Sequence, residues 1–179
     1  MVVTHDQLLA HWGPHRLIYF PLDRFLDRIQ VGPGAFPPEG AIPVEVPILF
    51  TVAVDAPDVQ LFSLLRLQLG EANSTLLIVV GCVPAEPDML FCLNPETGAI
   101  MLLDLNPDGP GYELVNTTFA AFVEFLYRFD EFIQSDPGKA ARADLALALR
   151  RDLYEVDSQA FEDPESWWNT AIRQLSVSG

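Results

Sequence analysis

The chain has 179 residues, half of them apolar and 20% charged, with 25 acidic against 10 basic side chains and a formal net charge of −15. That apolar content excludes a disordered chain, and the length suits one domain able to bury roughly 70% of its extended surface. So negative a surface repels phosphate backbones, which argues against direct nucleic-acid binding and favours a basic protein as partner. The same acidity also keeps an apolar-rich protein soluble, and with a Debye length of about 8 Å it steers encounter more than it sets affinity.

Residues 4–12, THDQLLAHW, predict a short helix with Thr4 as its N-cap, ended by Gly13-Pro14. Residues 15–20 read as extended, and 22–29 as a further turn or two of helix. Residues 32–47 hold Pro33, Pro37, Pro38, Pro43 and Pro47 with three glycines. This is the composition of an ordered surface loop or a mobile flap, not of a packed element. Residues 48–54 read as a strand and 55–58 as a turn. Residues 61–69 lie between strand and short helix; strand is favoured, since Gly70 and Asn73-Ser74 close the segment.

Residues 76–133 organise the rest. The runs LLIVVGCV, MLFCL and AIMLLDL have strand length, are separated by Pro/Gly/Asn turns and lead through YELVN into TTFAAFVEFLYRF. They are too short to span a membrane. Asn94-Pro95-Glu96-Thr97-Gly98 is a hairpin loop, with Pro where φ must lie near −65° and Gly where it must be positive. A helix follows from Asn116, Thr117 or Thr118 as cap, with Phe119, Phe122, Val123, Leu126, Phe129 and Ile133 as its buried stripe. After it, Asp136-Pro137 marks a helix packed through Leu145, Leu149 and Leu153, and Asp163-Pro164 a last helix packed through Trp168, Ile172 and Leu175. Together these predict an α+β domain, a twisted and mainly antiparallel sheet of about five or six strands packed by helices.

The turns and their order carry a resemblance. The run from CLNPETGAI through LLDLNPDG to LVNTTFAAFVEFLYRF is similar to the SUKH superfamily (SMI1/KNR4-like), and most of all to its SUKH-4 immunity proteins. Asp163-Pro164-Glu165-Ser166-Trp167-Trp168 matches the family's tail element. The resemblance covers roughly residues 76–175 well and the first 75 loosely, within a single domain over 1–179. Phe119-Ala120-Ala121 stands where the family's helix start has Leu-Glu-Ala, so the capping-box Glu is absent and the cap is weakened a little. The resemblance implies a SUKH fold and an immunity function, in which the chain binds and neutralises a cognate bacterial toxin, such as a nuclease or a nucleic-acid deaminase.

No chemistry competes strongly with that reading. His11 and His15 are four apart, but Gly13-Pro14 breaks the helix between them, and there is no HExxH glutamate. No GxSxG elbow, phosphate loop or nucleophile–base pair is present, so no catalytic or metal-binding residue and no cofactor is assigned. Cys82 and Cys92 sit on neighbouring strands; MVVTHD carries no basic or apolar leader pattern, so the expectation is a reducing cytoplasm and two buried free thiols rather than a disulfide. What remains is a binding surface, with Asp55, Asp58, Glu71, Glu86 and Asp88 as an acidic rim and Trp167 as an aromatic anchor. Three alternatives stay open: an interaction scaffold without a toxin partner, a small enzyme with a carboxylate site, and a homodimer through an exposed apolar strand.

Overall fold

The computed structural model describes residues 2–36, 40–68, 73–106, 111–135 and 138–177. Helix α1, His5–Trp12, begins with a complete capping box between Thr4 and Gln7. After a 3-10 turn come strand β1, Leu17–Tyr19, and the single-turn helix α2, Asp23–Leu26. Strands β2 (Ala41–Pro43), β3 (Glu45–Val46), β4 (Phe50–Thr51) and β5 (Leu64–Gln68) precede the meander of β6 (Ser74–Val83), β7 (Glu86–Leu93), β8 (Ile100–Asp104) and β9 (Tyr112–Asn116). Three helices complete the order: α3 (Phe119–Ser135), α4 (Lys139–Val156) and α5 (Trp167–Val177).

Among the described residues the main sheet has seven strands in the order β3-β4-β6-β7-β8-β9, all antiparallel, with β5 paired to the same long β6 that β4 meets. The expected α+β sheet is there, enlarged by the two-residue pieces β3 and β4. The expected strand over 48–54 shrinks because Ile48 adopts φ 62° after Pro47, and Leu49 N–H donates to Val46 O at 3.1 Å, so the chain turns there. The Pro-rich 32–47 segment is not merely a loop. Its residues 41–43 are fully buried in β2, paired with β1 from Leu17↔Pro43 to Tyr19↔Ala41. A two-stranded ladder tolerates proline because only one of its edges needs N–H donors.

Each strand of the meander is split by its pleat. Ile78, Val80, Phe91, Leu93, Ile100, Leu102 and Val115 join the large core with the helices, whereas Leu77, Val79, Leu90, Cys92 and Leu103 face the other way. The cross-strand pairs Ile78↔Leu93 and Phe91↔Leu102 hold this parity. Burial on both sides explains why these strands read as continuous apolar runs rather than alternating ones. The second face is covered by the segment that contributes Val54, Ala56 and Val59, not by helices.

A register shift in β6 falls at Gly81, where an added Cβ would lie 2.3 Å from Phe50 Cε2 and 2.7 Å from Thr51 O. Gly81→Ala should therefore destabilise the protein by about 1–3 kcal/mol through overpacking. Urea unfolding measures it, and an unchanged midpoint would mean that Phe50 does not press on β6.

Helix α3 starts where Thr118 Oγ1 accepts from Ala121 N–H at 3.1 Å. It is buried on nearly every side: Phe125, which no single stripe predicts, is as inaccessible as Phe122. Such a helix buries Glu124 and Asp130 too, and both are partnered. Glu124 accepts from Val3 N–H and from Arg128 Nε, and Asp130 accepts from His11, Trp12 and Gln134.

Two later expectations need correction. Leu145 is 44% exposed, while Ala146 and Leu153 are buried. A strict four-residue spacing drifts about 40° per step around a 3.6-residue helix, so the stripe swings off Leu145. The expected cap Asp136 and first helical residue Pro137 lie outside the described residues; α4 runs from Lys139 with Gly138 at its N-cap. The last helix begins at Trp167, not at Asp163-Pro164. Asp163 instead closes a local turn, its Oδ1 accepting from Glu165 N–H at 2.8 Å and its carbonyl from Ser166 N–H at 3.0 Å.

Candidate functional site

Antiparallel pairing places the start of β7, the end of β8 and the start of β9 side by side, and Trp167, Thr170 and Gln174 of α5 lie against them. Between them lies a cleft of about 270 Å³. Met89 and Asp104 are direct cross-strand partners, as are Leu102 and Glu113, so all four project toward the same helix-covered face. Glu86 closes the cleft from the β6–β7 hairpin, and Glu165 and Trp167 close it from the α5 side. Its described lining thus carries carboxylates from Glu86, Asp104, Glu113 and Glu165 and no lysine or arginine.

Glu113 is the unusual member. It stands two residues before buried Val115, on the face of β9 where the pleat calls for an apolar side chain. Its Oε1 accepts from Trp167 N–H at 3.0 Å, a carboxylate set against the first turn of α5 where the helix dipole favours it. Burial nevertheless pushes the Glu113 carboxyl above its ordinary range; the Trp167 N–H opposes this and the nearby Asp163 charge adds to it. A carboxyl raised in the folded state stabilises the fold below its unfolded pKa, and that contribution is lost as pH climbs through the raised value. Compared with Glu113→Gln, which keeps the oxygen acceptor, the wild type should therefore lose ground in melting temperature as pH rises from about 4 to 7. Parallel melting curves would show Glu113 to titrate normally.

Trp167 is half-buried and packs edge-on against Phe91, ring centroids 5.7 Å apart. Its indole N–H is buried with no hydrogen-bond partner among the described residues. Its neighbour Trp168 is fully buried and donates from Nε1 to Asn116 Oδ1 at 3.0 Å. The consecutive tryptophans divide as helical geometry requires, about 100° apart, one into the core and one onto the cleft wall.

The other expected rim residues are dispersed. Asp55 and Asp58 are exposed on the segment that covers the second face of the sheet, Asp58 with φ 61°. Asp88 is exposed on β7 near the cleft but does not line it. Glu71 lies outside the described residues. Of the six residues expected to bind a partner, the structure brings Glu86 and Trp167 together, and it adds Asp104, Glu113 and Glu165. Glu113 was findable from the sequence: in YELVN, the pleat that buries Val115 also turns Glu113 inward.

The other groups that could suggest chemistry lie apart from the cleft. His11 Nε2 lies 2.8 Å from Asp130 Oδ2, and His15 is exposed on the 3-10 turn. Among the described residues no three His, Cys, Asp or Glu side chains gather to hold a metal. Cys82 and Cys92 are free and buried; burial raises the Cys82 thiol and pushes Cys92 up to about 12, which leaves both protonated and unreactive near neutral pH. No described helix is long and apolar enough to cross a membrane.

A helix-covered antiparallel meander with accessory strands at its edge defines an α+β protein of the SMI1/KNR4-like kind. The family model described as SUKH-4 immunity protein matches residues 3–174, and the chain belongs to that family. No curated protein and no solved structure matches it.

Proposed function

We propose that this chain acts as a single domain in the bacterial cytoplasm, where it binds and neutralises a cognate protein toxin by steric and electrostatic occlusion, doing no chemistry of its own. The observation that carries the reading is membership of an immunity family over residues 3–174. A net charge of −15 supports it, because a toxin that acts on nucleic acid has reason to be basic and would be drawn to such a surface. The acid-lined cleft offers a place where contact can be specific.

Co-expression with the C-terminal domain of a large secreted protein encoded beside this chain tests the proposal. Growth rescue together with a complex on gel filtration is the expected result; neither rescue nor complex would remove immunity against that neighbour. Within such a complex, reversing Asp55, Asp58, Glu86 and Asp88 to lysine should slow association on the order of tenfold or more at low salt. These side chains are exposed, so folding stability should change by about 0.5 kcal/mol or less per reversal, with a further loss at Asp58, whose φ of 61° suits Asp better than Lys. Association rates that do not change across a salt series would count against charge steering.

A further inference from the structure

Resting on the immunity reading, we propose that the cleft between β7–β9 and α5 is the socket for one arginine side chain of the toxin. The four carboxylates around it come from four separate places in the chain; Glu165 is already paired with Arg173, and Glu86, Asp104 and Glu113 have no described base among the lining residues. Arg173, the basic side chain nearest in sequence, is engaged with Glu165 at 3.1 Å and with Pro164 O at 2.9 Å, and it is not part of the lining. Glu113 is therefore a partly desolvated carboxylate held by a single N–H, with no cation beside it among the described residues. Glu86 has neither an ion-pair nor a hydrogen-bond partner among the described residues. A cation entering the cleft meets negative potential on several sides, already partly stripped of water.

Two further features select arginine over lysine. Trp167 lines the cleft, and a planar guanidinium stacks on an indole while pairing with a carboxylate through two N–H groups; an ammonium is drawn to the ring as a point charge but has neither the planar stack nor the two-pronged fork. With Oε1 of Glu113 already held by Trp167 N–H, the remaining lone pairs of that carboxylate are available to such a fork.

The probe is N-acetyl-arginine amide, titrated into the full chain while the three tryptophan indole N–H resonances are followed by NMR, the Trp167 signal being assigned with Trp167→Phe. The expected result is a saturable shift confined to Trp167, several-fold weaker with N-acetyl-lysine amide and absent with the neutral isostere N-acetyl-citrulline amide. Glu113→Gln keeps the Trp167 N–H acceptor and Glu86→Gln alters an exposed side chain, so both should fold; together they should weaken the arginine response about tenfold. No response, an equal response to citrulline, or a lysine response equal to that of arginine would overturn the proposal. Its failure is separable from failure of the immunity reading. Growth rescue by wild type with no arginine response removes the socket and leaves immunity, whereas an arginine response without rescue or complex keeps the socket and removes the toxin.

Discussion

Trp168→Ala should cost about 3–5 kcal/mol, the largest loss expected from any single truncation in this chain. The side chain is fully inaccessible and lies among the rings of α3, with centroids 5.1 Å from Phe125, 5.0 Å from Phe129 and 6.4 Å from Phe122. It is the apolar pin between the last helix and the core. It also donates to Asn116, whose amide in turn donates to the buried Asp157 carboxylate at 3.1 Å, while Thr117 N–H reaches the same Asp157 oxygen at 2.7 Å. Truncation thus opens a cavity and leaves one acceptor of a buried polar chain unpaired. Trp168→Phe fills most of the volume and should lose only the hydrogen-bond share, about 1–3 kcal/mol. Urea denaturation of both variants separates the two contributions. A loss below 1 kcal/mol for the alanine variant would show that α5 is not docked through this residue.

Asp130→Ala is the second large effect, about 3 kcal/mol. One oxygen, Oδ2, is 2.8 Å from His11 Nε2 and accepts from Trp12 Nε1 at 2.8 Å and Gln134 Nε2 at 2.6 Å, so the residue ties α1 to the core helix. Removing it leaves the buried indole N–H of Trp12 without an acceptor. The orphaned donor, not the lost attraction alone, makes the change expensive, and a double-mutant cycle exposes it. Trp12→Phe in the Asp130→Ala background removes the orphan, so the double variant should be more stable than the two single losses summed. Strict additivity would mean that the two side chains do not interact.

The meander and its helix were legible because each carries its own local grammar. Asn94 and Gly98 close the β7–β8 loop, Asn94 Oδ1 accepting from Glu96 N–H at 2.9 Å and Gly98 adopting φ 82°. Thr118 then caps a helix whose aromatic spacing is unmistakable. Failures came where structure depends on partners distant in sequence. Residues 41–43 look like loop because of Pro43 and the prolines around them, yet they are buried and paired with β1, which a local window does not see. Trp167, which lines the cleft, stands out in the sequence by residue type alone. Glu113, its backbone partner 54 positions earlier, carries no motif and becomes significant only once β9 lies beside α5. The acidic rim was a compositional expectation, and composition does not distinguish Glu86, brought into a cleft, from Asp55, left on a far segment.

The unequal covering of the sheet has a consequence for opening. One face is sealed by interlocked helices, the other by the short stretch bearing Val54, Ala56 and Val59, and Cys82 and Cys92 both belong to that thinly covered side. Cys82 Sγ even donates to Ala53 O, 3.6 Å away, on the covering stretch itself. A thiol reagent can therefore reach these cysteines when that stretch lifts, while the helical side stays shut. The labelling rate in native buffer reports the local free energy of this lifting, and the denaturant dependence of the rate tells it apart from global unfolding.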